Sequence, residues 1–184
     1  MTFSSTAACA ASSTSTAWAA RSDGDRIAGS GSWLHKTLEL IPNVHARNLV
    51  EVGPRGMHER AATVRALRER GATFFSGWDV RRLGVERVCE GLGAAYEGAS
   101  RTFLHIDMDV VGGSGSSPAE ILGDLAEPLG LTDYEVLRIA YEVGQRGVGA
   151  ATFVCIPPGS PVMYRLVVYA IMYMLAGLAA TRAD

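Results

Sequence analysis

The chain of 184 residues contains little cysteine and no strong excess of charge of either sign. Its three cysteines, Cys9, Cys89 and Cys155, lie far apart and form no CxxC pair, which argues against a disulfide framework and indicates a reducing, cytoplasmic environment. With 17 basic and 19 acidic residues, the sequence lacks the positive charge typical of nucleic-acid binding. Apolar residues make up 48% and charged residues 20%, which excludes a disordered chain and, with the length, predicts one compact domain.

Both ends of the chain could be mistaken for targeting signals. Residues 1–22 are mostly Ser, Thr and Ala without an acidic residue, and we interpret residues 1–28 as a poorly ordered, low-complexity leader before a domain over 29–184. Residues 166–180 are apolar and uncharged, but this run is shorter than the ~20 residues that a membrane-spanning helix needs. The pattern therefore predicts a buried core helix and no membrane contact.

Between these ends, short β-like runs alternate with amphipathic helical runs. Strands are predicted over 47–53, 72–76, 102–107 and 151–156. Helices are predicted over 58–70, 80–92 and 162–180, and a further helix begins at Thr132, which is spaced from Glu135 as a capping box. Because strands separated by helices need crossover connections, the pattern predicts an α/β fold, a three-layer α/β/α sandwich around a mostly parallel sheet.

The candidate site is a pair of aspartates after the third predicted strand. Asp107 and Asp109 share the parity of the strand, so they would project to the same side, about 7 Å apart if the backbone stays extended. Ligands bind beyond the carboxyl ends of parallel strands, and two adjacent carboxylates favour a hard divalent cation. The alternative is a strand that ends at Asp107 and a turn capped by Asp109. Spacing alone leaves both interpretations open.

Three stretches resemble the ureohydrolases, the arginase and agmatinase superfamily. Residues 50–56, Val-Glu-Val-Gly-Pro-Arg-Gly, resemble V-Q-I-G-I-R-G. Residues 103–111, Phe-Leu-His-Ile-Asp-Met-Asp-Val-Val, resemble the S-F-D-I-D-x-x-D-P signature around its D-x-D, which falls on Asp107 and Asp109. Residues 130–137 carry Gly-Leu-Thr, Glu and Leu at the spacing of G-G-L-T-x-x-E-x-L. The resemblance covers roughly residues 29–180 and implies an arginase-like sandwich that lacks the first strands of the complete fold.

The resemblance also implies a chemistry. Ureohydrolases hold two manganese ions bridged by a hydroxide, which attacks the guanidinium carbon of a substrate such as agmatine or arginine. Asp107 and Asp109 fall on the two metal-ligand aspartates of the family's D-x-D. The implied cofactor is therefore manganese, and the implied partner is a small guanidino substrate.

The sequence departs from the family at several functional positions. Gly112-Gly113 replaces D-P, and Cys155 stands where the family has a glutamate that helps to hold the guanidinium. Residues 15–19, Ser-Thr-Ala-Trp-Ala, align with D-A-H-x-D but contain no ligand, and Ser30 replaces the histidine of S-H-G. The earlier G-G-D-H ligand has no counterpart. The catalytic and substrate-binding residues therefore cannot be assigned from the sequence.

Two further side chains have competing interpretations. His105 could replace a lost ligand, but a lone histidine in a strand is more often packed or hydrogen-bonded. Cys155 could be a reactive thiolate, but without an identifiable basic partner a buried, inert thiol is favoured.

Two functions remain. The chain is either an agmatinase- or arginase-like, manganese-dependent hydrolase of the C–N bond of a guanidino compound, with impaired activity, or a non-catalytic relative with a structural or regulatory role. Because a sheet without its first strands exposes an edge, we also expect a homo-oligomer or association with a complete paralogue.

Overall fold

The computed structural model describes residues 6–11, 33–54, 61–112, 129–156 and 158–181. Its strands are β1 Thr6–Ala11, β2 Val44–Val52, β3 Thr73–Phe75, β4 Arg101–Asp107 and β5 Ala150–Val154. Its α-helices are α1 Trp33–Leu40, α2 Ala61–Glu69, α3 Gly77–Leu83, α4 Val85–Gly91, α5 Asp133–Arg146 and α6 Pro161–Ala180. Short 3-10 turns cover Leu92–Tyr96 and Met108–Val110.

The five strands form one parallel sheet in the order β3-β2-β1-β4-β5. The register pairs Ala11 with Val52 on β2 and with Ile106 on β4, and it pairs Asp107 with Val154 on β5. The carboxyl ends of β1, β2, β4 and β5 therefore lie next to one another at one end of the parallel sheet. Among the described residues, β5 pairs only with β4, so its outer edge is open.

The core occupies both faces of the sheet. The consecutive β2 residues Leu49 and Val50 belong to different hydrophobic clusters, because neighbouring side chains of a strand point to opposite faces. The Leu49 cluster includes Leu34 of α1 and Leu67 of α2. The Val50 cluster draws its helical residues from α3, α4, α5 and α6. This arrangement confirms the predicted three-layer α/β/α sandwich.

One strand of the sheet lies within the segment interpreted as a leader. Thr6–Ala11 lies within the segment predicted to be poorly ordered, yet it forms β1, which pairs with β2 on one side and β4 on the other. Its composition is Thr, Ala and Cys, with a single β-branched residue, so strand propensity gives little signal. The strand owes its place to backbone pairing with strands that are distant in sequence.

The helix predicted over 80–92 also differs from the structure. It is two helices, α3 and α4, separated at Gly84, whose φ of 81° ends the first helix. The first helix begins earlier than predicted because Ser76 and Asp79 form a capping box. The second capping box, formed by Thr132 and Glu135 at the start of α5, confirms the prediction from the sequence.

The closing helix, α6, is much more exposed than a core helix. It buries one stripe, formed by Met163, Leu166, Ala170, Met174 and Gly177, while its other sides remain open. By length and composition it could cross a membrane, and 22% of its apolar window is buried. The prediction of a buried core helix is therefore wrong for most of its surface, because α5 covers one side and no other described element covers the opposite one.

Candidate metal centre

Asp107 is the last residue of β4 and the N-cap of the 3-10 turn that follows. Its Oδ1 accepts a hydrogen bond of 3.1 Å from the backbone N–H of Asp109. The carboxylate is buried, with 3% of the residue exposed, at the point where β4 leaves the sheet. The strand and the turn together therefore fix the position of this side chain.

Asp109 comes close to Asp107 through the turn and not through strand alternation. Met108–Val110 is a 3-10 turn, so the expected separation of extended residues does not apply. Asp109 is also buried. Asp107 ends the strand, as the turn interpretation predicted, but the cap of the turn is Asp107 itself and not Asp109.

Cys155 directly follows β5 and completes the group. Its φ of 54° lies in the left-handed region. One ligand atom from each of Asp107, Asp109 and Cys155 lies within 4.8 Å of the others. Cys155 is exposed, in contrast to both aspartates, so the prediction of a buried thiol is wrong. The reason is that the chain turns out of the sheet immediately after Val154.

The electrostatics of this group favour the uncharged thiol in the absence of a cation. Partial burial of the sulfur raises the pKa of Cys155, and the negative charges of Asp107 and Asp109 raise it further. Three adjacent anions would repel one another strongly. A divalent cation among the three ligand atoms would relieve this repulsion.

His105 lies two residues before Asp107 but does not join the three converging side chains. Its Nδ1 is 2.9 Å from Oγ1 of Thr152, the residue paired with it on β5. Its ring also stacks on Phe103, with 6.5 Å between centroids. Burial lowers the pKa of His105, while the charge of Asp107 opposes that shift. The packed, hydrogen-bonded interpretation therefore describes this histidine.

The glycine that replaces the family's D-P motif has a packing reason. A Cβ at Gly112 would lie 2.5 Å from the backbone nitrogen of Gly130, so the two chain segments can approach only without side chains here. Backbone hydrogen bonds join the same segments, from Gly112 to Leu131 and from Leu131 to Val110. The segment after the aspartates is thereby held against the start of α5.

Cys155 is the second departure from the family pattern that the structure describes. Residues 15–19 and Ser30 lie outside the described residues, as does Gly113. Sequence reasoning missed the convergence of Cys155 with the aspartates. The sequence signal was that Asp107 and Cys155 each lie at the end of a predicted strand, but the adjacency of these two strands comes from the sheet.

A cavity of about 390 Å³ lies beside this region. It is bounded by Val111, the start of α5 and the first turns of α6, where Arg165 contributes a positive charge. Asp107, Asp109 and Cys155 are not part of its lining. The cavity therefore adjoins the aspartate turn along the chain without containing the three candidate ligands.

Several solved structures have the same fold as this chain. Formimidoylglutamase from Bacillus subtilis subsp. subtilis str. 168 matches with a TM-score of 0.79 and 18% identity, over 96% of this chain and 54% of that one. Trypanosoma cruzi formiminoglutamase with Mn²⁺₂ matches at 0.73 and 20%, over 94% and 56%. A hypothetical agmatinase from Burkholderia thailandensis matches at 0.73 and 16%, over 98% and 53%. The chain thus spans about half the length of these structures.

No curated protein sequence matches significantly. A sequence model of the Arginase family matches residues 18–174, which is most of the chain. This match includes both aspartates, Cys155 and the capping box of α5. The ureohydrolase resemblance of the sequence is confirmed, and the chain belongs to the Arginase family.

Proposed function

We propose that this chain binds a divalent cation through Asp107 and Asp109 and acts as an agmatinase- or arginase-like hydrolase on the C–N bond of a guanidino compound. The observation that carries the proposal is the convergence of these carboxylates at the carboxyl end of β4. This is the position at which open parallel sheets bind their ligands. Membership of the Arginase family supplies the reaction class.

The side chains present fit one cation better than a pair. Among the described residues, the group provides two carboxylates and one thiol. Manganese favours oxygen ligands, and two ions held at a catalytic separation need more of them than these residues offer. A cation held by these residues would supply a water activated as a nucleophile at neutral pH. The chain's own contribution is to orient the Asp107 carboxylate through the hydrogen bond from the backbone N–H of Asp109.

A non-catalytic role is the second candidate. It is favoured by Cys155, which stands where the family resemblance places a glutamate that helps to hold the guanidinium. A thiol at this position lacks the negative charge that would pair with that group. We therefore expect weak hydrolysis or none from this chain by itself. The cytoplasmic location suggested by the cysteines stays a prediction.

Metal binding and hydrolysis can be tested separately. Calorimetric titration of the full chain with Mn²⁺ should show one weak site, with a Kd on the order of 10⁻⁴ to 10⁻³ M as in other sparse carboxylate sites. The Asp107→Asn/Asp109→Asn double variant should abolish binding, while Glu69→Gln, on an exposed helix end, should leave it unchanged. Identical titrations of the double variant and the wild type would refute the metal site.

Activity is then measured as urea release from agmatine and from arginine with Mn²⁺ present. Release that is lost in Asp107→Ala supports the hydrolase. Metal binding without any release of urea supports the non-catalytic role. Tight binding of two ions per chain would contradict the expectation of a single weak site.

A further inference from the structure

We propose that the sulfur of Cys155 is a ligand of the bound cation, and that it shifts the site's preference from manganese towards a thiophilic divalent ion of the zinc class. This inference rests on the metal site of the proposed function. It adds a third ligand that the family pattern does not supply and a different class of metal. The argument depends on the position of Cys155, its access to solvent and the chemistry of its sulfur.

The position of Cys155 is set by the sheet. Asp107 and Val154 are paired residues of β4 and β5, so Cys155 leaves the sheet one residue beyond the partner of Asp107. The left-handed backbone at Cys155 changes the chain direction at this point. Its Sγ then lies within 4.8 Å of one carboxylate oxygen of Asp107 and one of Asp109.

The three proposed ligands differ in their exposure to solvent. Asp107 and Asp109 are buried beneath the carboxyl end of the sheet, whereas Cys155 is exposed. A hydrated ion can therefore approach from the side of the sulfur and exchange water for the carboxylates behind it. The thiol gives its proton to solvent as the sulfur-to-metal bond forms, so the bound sulfur is a thiolate.

The donor set then determines the metal. Manganese and magnesium favour sites made of oxygen, whereas thiolate favours zinc and other soft ions. Three protein ligands with a remaining position for water are also the usual composition of a catalytic zinc site. Two carboxylates and one thiolate supply that number of ligands. They fit a manganese pair poorly, which is the disagreement between this chain and the metal content expected from its family.

Cys89 offers a matched control within the same chain. It is a buried residue of the Val50 cluster in α4, where burial raises the pKa of its thiol to about 11. It does not belong to the converging group. A substitution at Cys89 removes a thiol without touching the proposed site.

The first test follows the sulfur directly. The full chain is titrated with Cd²⁺, and the sulfur-to-cadmium charge-transfer absorption is recorded in the ultraviolet. We expect the band in the wild type and in Cys89→Ala, and its loss in Cys155→Ser. A band that persists in Cys155→Ser, or that never appears in the wild type, overturns the proposal.

The second test measures selectivity. Zinc binds most protein sites more tightly than manganese, so tighter binding of Zn²⁺ by the wild type is not by itself evidence for a sulfur ligand. The informative quantity is the change caused by Cys155→Ser, which should weaken Zn²⁺ by ~10-fold or more while changing Mn²⁺ much less. Equal losses for both ions would mean that the sulfur does not determine the preference.

A third measurement needs no variant and avoids the risk of misfolding. Alkylation of Cys155 by iodoacetamide, followed peptide by peptide in the mass spectrometer, should be slowed by Zn²⁺ and much less by Mn²⁺. Mn²⁺ binding that depends on the aspartates, without protection of Cys155 by Zn²⁺, would refute this inference and leave the proposed function intact. Absence of binding by every ion would refute both.

Discussion

Arg81 and Glu135 form an ion pair across 54 positions of sequence, with Nη1 donating to Oε1 at 2.7 Å. The same guanidinium donates to the carbonyl of Gly130 at 2.8 Å. The other oxygen of Glu135 accepts from both the backbone N–H and the hydroxyl of Thr132. The largely buried carboxylate of Glu135 therefore caps α5. Through Arg81 it also links α3 to the segment that precedes α5.

Removal of this carboxylate should cost more than removal of either neighbour alone. We expect Glu135→Ala to lower the free energy of unfolding by about 2 kcal/mol, since it removes the capping interaction and leaves the guanidinium without its carboxylate. Thr132→Ala should cost about 1 kcal/mol through the cap alone. Urea denaturation measures both. A loss in Glu135→Ala no larger than that in Thr132→Ala would mean that the pair with Arg81 adds nothing.

The contact between α5 and α6 depends on two glycines. A Cβ at Gly144 would overlap the carbonyl of Met174, and a Cβ at Gly177 would overlap the carbonyl of Tyr141. Gly144→Ala and Gly177→Ala should each destabilise the protein by about 1 to 3 kcal/mol, although alanine is the better helix former. Gly93→Ala is the control, because its nearest neighbour would be Arg146 Nη1 at 3.5 Å. Thermal unfolding of all three, with losses confined to the two interface glycines, checks the prediction.

Features that depend on neighbouring residues could be predicted from this sequence. Features that depend on pairing between residues distant in sequence could not. The capping box at Thr132 and the strand that ends at Asp107 are local patterns, and the structure confirms both. Thr6–Ala11 gives little local signal, and its pairing partners lie far along the chain, so β1 was missed. The place of Cys155 beside the aspartates depends on the β4–β5 register, which the spacing of residues does not contain.

The capping box at the start of α3 should make stability depend on acid pH. The hydrogen bond from the Ser76 hydroxyl, aided by a hydrogen bond from Arg82, lowers the pKa of Asp79 below its ordinary value of 3.8, although partial burial opposes this shift. Because the folded-state pKa is depressed, this stabilisation is complete above the unfolded value and is lost as pH falls through the folded value. Asp79→Asn should therefore be less stable than the wild type at neutral pH. Urea denaturation below pH 3.8 should show the two proteins converging; a constant difference at every pH would contradict the role of this charge.

The exposed side of α6 predicts self-association. Val168, Met172 and Leu175 are each more than half exposed and lie on one side of the helix, at spacings of four and three residues. A second copy presents the same uncharged apolar surface, so a two-fold contact would remove both from water. Val168→Glu/Met172→Glu should shift a dimer to a monomer in sedimentation velocity, because the new carboxylates would face one another.

Leu40→Glu, an exposed position on α1, is the control and should leave the dimer intact. A wild type that stays monomeric at all concentrations would contradict self-association, and a monomer that sediments with lipid vesicles would assign this surface of α6 to a membrane instead.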